Sequence, residues 1–62
     1  MIEGKSILLV EDDANLGFVI KDSLVDAGAK VMLAKDGVAG FEAFYDGKFD
    51  ICILDVMLPK KD

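Results

Sequence analysis

The stretch that decides the fold is Ile51-Cys52-Ile53-Leu54-Asp55, an unbroken apolar run that ends in a carboxylate and leads into a short loop. A run without polar alternation, bounded by Asp50 and Pro59, predicts a strand buried on both faces, which is typical of a parallel sheet covered by helices. Functional groups in such sheets lie at the carboxyl ends of the strands. We therefore expect Asp55 to open into a crevice, while residues 51–54 are packed away from water.

Two further apolar runs predict strands earlier in the chain. The first, Ser6-Ile7-Leu8-Leu9-Val10, ends in Glu11-Asp12-Asp13, so it also delivers carboxylates at its carboxyl end. The second covers Lys30–Ala34 and is short, which favours a place at the edge of the sheet.

Two helices are predicted between the strands. Asp13 and Asp36 can each cap the free amide groups of a helix, and Gly28 and Gly47 follow the last apolar repeats. The apolar positions at helical spacing are Leu16, Val19, Ile20, Leu24 and Ala27 in the first helix and Val38, Phe41, Phe44 and Tyr45 in the second. We expect the aromatic residues to be core or covering residues. The order β-α-β-α-β predicts a parallel sheet with helices on its faces.

Composition excludes several classes of protein. Twelve acidic and seven basic residues give a formal charge of −5, which argues against a nucleic-acid surface. No apolar stretch approaches the length of a membrane span, and Met1–Lys5 lacks the apolar core of a secretion signal, so we expect a cytoplasmic protein without a membrane contact. Cys52 is the only cysteine, which excludes a disulfide within one chain and is typical of a small core residue in a reducing compartment.

The acids at the strand ends form the candidate site. If the first and third strands are neighbours, Glu11, Asp12 and Asp55 converge, and carboxylates so close repel each other unless a cation or protons join them. Mg²⁺ accepts carboxylates, backbone carbonyls and water in octahedral geometry. Taken alone, the acids after the first strand also fit a solvated turn with a helix cap, and Asp55 also fits a turn residue.

Three motifs resemble the receiver domain of two-component response regulators: Leu8–Asp13, Ala34–Gly37 and Leu54–Pro59. They come in the order and at the spacing of that family. The resemblance implies a flavodoxin-like doubly wound parallel sheet, of which this chain would hold the β-α-β-α-β half with strand order 2-1-3. It implies a signalling module that is not itself an enzyme and that is phosphorylated by a sensor histidine kinase.

The resemblance also assigns roles to individual residues. Asp55 would be the phosphoacceptor, Asp12 a direct ligand of Mg²⁺, and Glu11 an acid that holds metal-bound water. The backbone carbonyl of Met57 would be a further ligand. An alternative class, an Mg²⁺-dependent phosphatase with an aspartyl nucleophile, would need a second acid where Met57 stands, so it is the weaker interpretation.

The chain departs from the family in what it lacks. We expect residues 1–62 to form one truncated receiver domain with three strands and two helices, without the second half. The resemblance places in that half a hydroxyl residue and a lysine that hold the phosphoryl group. The third strand would then have an open edge, which predicts a homodimer or a higher homo-oligomer. The alternative function for the isolated chain is a self-associating structural fragment without phosphotransfer.

Overall fold

The computed structural model describes residues 2–55, and for Asp55 the backbone alone. The elements are β1 (Ser6–Glu11), α1 (Ala14–Asp26), β2 (Lys30–Ala34), α2 (Gly37–Asp46) and β3 (Ile51–Asp55). The three strands form one parallel sheet in the order β2-β1-β3. The predicted fold class is therefore confirmed: the described residues are a β-α-β-α-β unit of the flavodoxin-like type. No helix among them is long and apolar enough to cross a bilayer.

The central strand β1 forms the core. Its residues Ile7–Val10 are at most 2% exposed, because β1 has a strand on each side and a helix on each face. On the face towards α2, Leu8 and Val10 pack with Ala34 of β2, and Ala39, Ala43 and Phe49 close this cluster. Burial of this strand fixes the position of the acids that follow it.

The helix boundaries agree with the predicted caps. Asp13 Oδ1 accepts a hydrogen bond from the Leu16 amide at 3.0 Å, and Asp36 Oδ1 accepts one from the Ala39 amide at 2.8 Å. Beyond α1, Gly28 adopts φ +101°, in the left-handed region that a glycine tolerates best. The amides of Gly28 and Ala29 then donate to carbonyls in the last turn of α1, which satisfies the end of the helix.

The faces by which the helices meet the sheet agree only in part with the predicted apolar faces, since Ile20 and Leu24 of α1 are half-buried. The buried residue of α1 is Gly17, and that of α2 is Gly40. A Cβ atom at Gly40 would lie 2.6 Å from Val10 Cγ2, so the backbone of α2 lies directly on β1. The small residues therefore lie nearest to the sheet, and several larger apolar side chains stay exposed. Six apolar residues that were predicted to face the sheet are exposed: Leu16, Val19, Val38, Phe41, Phe44 and Tyr45.

The prediction that β3 is buried on both faces is also wrong. Within residues 2–55 both helices contact β1 and β2, and neither contacts β3. Leu54 is consequently 75% exposed, and Cys52 is exposed rather than a core residue. The open outer edge predicted for this strand is present in the described part of the chain.

Asp50 holds the entrance of β3 against the start of β1. Its Oδ2 accepts a hydrogen bond from the Ser6 amide at 2.8 Å, and its own amide donates to the Ser6 carbonyl at 2.8 Å. We expect Asp50→Ala to lower the free energy of unfolding by about 1 kcal/mol, because the Ser6 amide loses its carboxylate acceptor. Urea denaturation followed by circular dichroism measures this change.

Two control variants separate the hydrogen bond from the charge. Asp50→Asn retains a side-chain oxygen and should recover part of the lost stability. Asp22→Ala removes the same charge from the exposed surface of α1 and should leave stability unchanged or slightly raised, since alanine favours helix. An Asp50→Ala variant as stable as the parent chain would show that this hydrogen bond contributes nothing.

Candidate functional site

The carboxyl ends of β1 and β3 lie side by side. The parallel register pairs Val10 with Leu54 and Glu11 with Asp55, so the last residues of the two strands stand at the same level of the sheet. Asp12 follows Glu11 directly and is exposed. The predicted adjacency of the first and third strands is therefore present in the backbone.

Glu11 is buried at the end of β1, at 1% exposure. Its Oε2 accepts a hydrogen bond from the Asp13 amide at 2.8 Å. A carboxylate removed from water is strongly disfavoured unless hydrogen bonds or charges compensate it, so this bond stabilises the observed position. The side chain of Glu11 is thereby held beneath the loop that follows it.

The loop after β1 is tied at both ends. The Asp13 amide is bonded to Glu11, the Asp13 carboxylate caps α1, and the Asp13 carbonyl accepts from the Gly17 amide at 2.8 Å. Asp12 therefore occupies a loop whose flanking residues are both fixed. Asp13 acts as the predicted helix cap, and this role is separate from the roles proposed for Glu11 and Asp12.

The predicted site is only partly within the described residues. Glu11 and Asp12 are placed, Asp55 is placed by its backbone, and Met57 lies outside the described residues. Among the side chains that the structure describes, no three cysteines or acids are grouped as metal ligands. The donors that are placed are carboxylate oxygens. Mg²⁺ prefers oxygen ligands of this kind, whereas softer metals prefer sulfur and nitrogen ligands.

Sequence reasoning missed Gly17 as a residue that positions the site. A Cβ atom at Gly17 would lie 3.2 Å from Glu11 Cγ and 3.1 Å from Leu33 Cδ1. The absence of a side chain lets α1 approach the buried part of Glu11. The sequence did hold a signal, because Gly17 lies inside a helical pattern. A glycine there destabilises the helix by about 1 kcal/mol relative to alanine, so its presence suggests that close packing requires it.

Comparison with known proteins identifies the family. The family model described as the response regulator receiver domain matches residues 7–62. The chain belongs to this family. The match covers all the described strands and helices except Ser6, the first residue of β1, and it includes both strand ends that carry the candidate site.

Curated relatives of the receiver are named as transcriptional regulatory proteins. The chain is 50% identical over 62 residues to RprY of Bacteroides fragilis, and the match covers 100% of this chain and 26% of that protein. It is 42% identical over 55 residues to DltR of Streptococcus agalactiae, covering 89% of this chain and 25% of that protein. It is 40% identical over 53 residues to CusR of Escherichia coli, covering 86% of this chain and 23% of that protein.

The chain thus spans about a quarter of the length of these relatives. No solved structure shows a significant match to it.

Proposed function

We propose that the chain is the amino-terminal part of a phosphoacceptor receiver, in which Asp55 accepts a phosphoryl group from a sensor histidine kinase when the domain is complete. The observation that carries this proposal is the register of β1 and β3, which pairs Glu11 with Asp55 and places Asp12 one residue beyond. Membership of the receiver family supports it. Two strand ends then supply the acids of one site.

In the proposed reaction an oxygen of the Asp55 carboxylate attacks phosphorus. The bond from phosphorus to the donor nitrogen breaks, and the electron pair leaves with the histidine of the kinase. Asp12 and Asp55 would hold Mg²⁺ directly, with the carbonyl of Met57, and Glu11 would orient metal-bound water. Bound Mg²⁺ supplies charge neutralisation for the phosphoryl oxygens. The hydrogen bonds of Asp13 hold the loop that carries Asp12 and the side chain of Glu11 before the reaction begins.

The whole protein is proposed to be a cytoplasmic regulator of transcription, by analogy with the names of its relatives. The net charge of −5 disfavours contact between these residues and the negatively charged DNA backbone. DNA contact would then belong to a part of the protein outside this chain, and phosphorylation of Asp55 would control that part.

A second candidate concerns the isolated chain, for which we propose self-association without phosphotransfer. The observation that favours it is the exposure of β3, whose outer edge and apolar side chains have no covering element among residues 2–55. Exposed strand edges of this kind pair with other strands. Light scattering that gives a monomeric mass, with an unfolding midpoint unchanged over about a hundredfold dilution, would remove this candidate.

Titration with magnesium chloride tests the proposed site. We expect the parent chain to bind one Mg²⁺ with a dissociation constant on the order of 1 mM, since few protein ligands leave several waters on the ion. Asp12→Asn and Asp55→Asn should each weaken binding about tenfold or more, because each removes one charge from the site. Chemical-shift changes of backbone amides measure both the affinity and the location.

Asp22→Asn is the matched control. It makes the same change of charge on the exposed surface of α1, away from the strand ends, and should bind Mg²⁺ as the parent chain does. If Asp12→Asn and Asp55→Asn also bind as the parent does, the two acids do not share a metal site and the proposed site is wrong.

A further inference from the structure

The backbone of α1 at Gly17 packs closely against the buried part of Glu11. A Cβ atom at residue 17 would lie 3.2 Å from Glu11 Cγ and 3.1 Å from Leu33 Cδ1. Carbon atoms in favourable contact lie about 3.5–4.0 Å apart, so a side chain at this position would displace one of its neighbours. Glu11 follows Val10, which faces α2, so its side chain lies on the opposite face of the sheet, beneath α1.

Glu11 is also confined from its other sides. It is 1% exposed, and β1 has a paired strand on each side. Its Oε2 accepts a hydrogen bond from the Asp13 amide at 2.8 Å. Because Cγ is bonded to the carboxyl carbon, a displacement of Cγ moves the carboxylate and changes this hydrogen bond. A close-packed interior has little free space, so Glu11 cannot absorb a push from α1 without such a displacement.

The contact between α1 and Glu11 closes a ring of fixed contacts. The Asp13 carbonyl accepts a hydrogen bond from the Gly17 amide at 2.8 Å, and the Asp13 carboxylate caps the first turn of α1. The first turn is thus fixed to the same residue whose amide holds Glu11. On the side of β2, the two terminal methyl carbons of Leu33 would lie 3.1 and 3.3 Å from a Cβ atom at residue 17. The helix therefore has little room to move away from Glu11.

We propose that Gly17 is a positioning residue whose missing side chain sets the orientation of the Glu11 carboxylate and, through it, the affinity of the site for Mg²⁺. This rests on the function proposed above, in which Glu11 orients metal-bound water. Removal of a group that holds metal ligands in place commonly lowers metal affinity by about 10–100-fold. A methyl group at residue 17 displaces Glu11 without removing it, so its effect is smaller.

Gly17→Ala tests the inference by nuclear magnetic resonance of the 62-residue chain. We expect the affinity for Mg²⁺ to fall about three- to tenfold, which is less than the effect of removing a group that holds the ligands. Without Mg²⁺, the Asp13 amide proton should move upfield, because a longer or less linear hydrogen bond is weaker. Alanine favours helix more than glycine does, so the variant should remain folded, and circular dichroism verifies this.

Two variants on α2 are matched controls. Gly40→Ala also adds a methyl group to a helix glycine that lies on β1, but on the opposite face of the sheet, where the Cβ atom would lie 2.6 Å from Val10 Cγ2. Gly37→Ala adds a methyl group where nothing lies within 4 Å. Both should retain the Asp13 resonance and the Mg²⁺ affinity of the parent chain. These controls separate crowding of the core, and the change from glycine to alanine in a helix, from displacement of Glu11.

A further comparison asks whether Gly17 acts through Glu11. Glu11→Ala removes both Cγ and the carboxylate, so a methyl group at residue 17 then has no carboxylate to displace. We expect Glu11→Ala to weaken Mg²⁺ binding and Gly17→Ala to weaken it no further in that background. An equal loss of affinity in both backgrounds would show that Gly17 affects the site by another route and would overturn the inference.

The outcomes separate this inference from the proposed function. A loss of Mg²⁺ affinity together with a displaced Asp13 resonance in Gly17→Ala, both absent from the two controls, supports the inference. A parent chain that binds Mg²⁺ and a Gly17→Ala variant that binds it as tightly overturn the inference and leave the proposed site standing. An unmoved Asp13 resonance in Gly17→Ala also overturns the inference. A parent chain that binds no Mg²⁺ overturns both.

Discussion

Treatment of the 62-residue receiver with acetyl phosphate and Mg²⁺ should leave less than about one tenth of Asp55 carrying a stable phosphoryl group, because the charge on the phosphoryl oxygens is incompletely stabilised. The sequence has no threonine, and its serines are Ser6 and Ser23. Ser6 begins β1, at the end of the sheet opposite to Asp55. Ser23 lies in the last turns of α1, which runs back towards that same end.

Lys35, which follows the carboxyl end of a described strand, is equally poorly placed for this chemistry. Lys35 follows β2, which is separated from β3 by the whole width of β1. Neighbouring strands lie about 4.8 Å apart, so Lys35 starts nearly 10 Å from the strand that carries the phosphoacceptor. The family resemblance assigns the hydroxyl and the lysine to a part of the domain outside this chain, and no described residue replaces them.

Intact-mass spectrometry at neutral pH measures the phosphoryl increment directly. Asp55→Asn is the control, since any increment that persists in it arises at another residue. A stoichiometric increment in the parent chain that persists for hours and is absent from Asp55→Asn would contradict the prediction. It would show that residues outside this chain are dispensable for holding the phosphoryl group.

Replacement of Gly40 by alanine should destabilise the receiver by about 1–3 kcal/mol, the usual range for forcing extra volume into a packed core. The new Cβ atom would lie 2.6 Å from Val10 Cγ2, and valine has few side-chain conformations with which to move away. A chain of this length has about 3–9 kcal/mol of stability in total. One methyl group is therefore expected to remove a large share of it.

Two variants make this prediction specific. Gly37→Ala adds the same methyl group to the first residue of α2, where a Cβ atom meets nothing within 4 Å, and it should leave stability equal or slightly higher. Val10→Ala in the Gly40→Ala background removes the clashing atoms, so the two changes together should cost less than the sum of their separate effects. Urea denaturation of the parent chain, Gly40→Ala, Val10→Ala and the double variant measures the coupling. Additive effects would show that α2 does not lie directly on β1.

The sequence by itself determined the strands, the helix ends and the family. Apolar runs and acidic caps act locally: Asp13 and Asp36 bind amides three residues ahead, and Gly28 takes a conformation that its own backbone permits. The order of strands and helices then restricted the topology to a parallel sheet. The acids of the candidate site could be predicted because they directly follow apolar runs.

Only the tertiary structure decided which helix faces meet the sheet and how far β3 is covered. Helical spacing favoured the side of α2 with Phe41 and Phe44, but the helix lies nearest to β1 at Gly40, where it has no side chain. Phe41 and Phe44 instead line an open groove beside Leu54 of β3 and remain mostly exposed. The exposure of Leu54 has a similar origin. Hydrophobicity gives a residue the tendency to be buried, but burial also needs a neighbouring element that covers the residue. Among residues 2–55 both helices lie over β1 and β2, so Leu54 of β3 stays exposed.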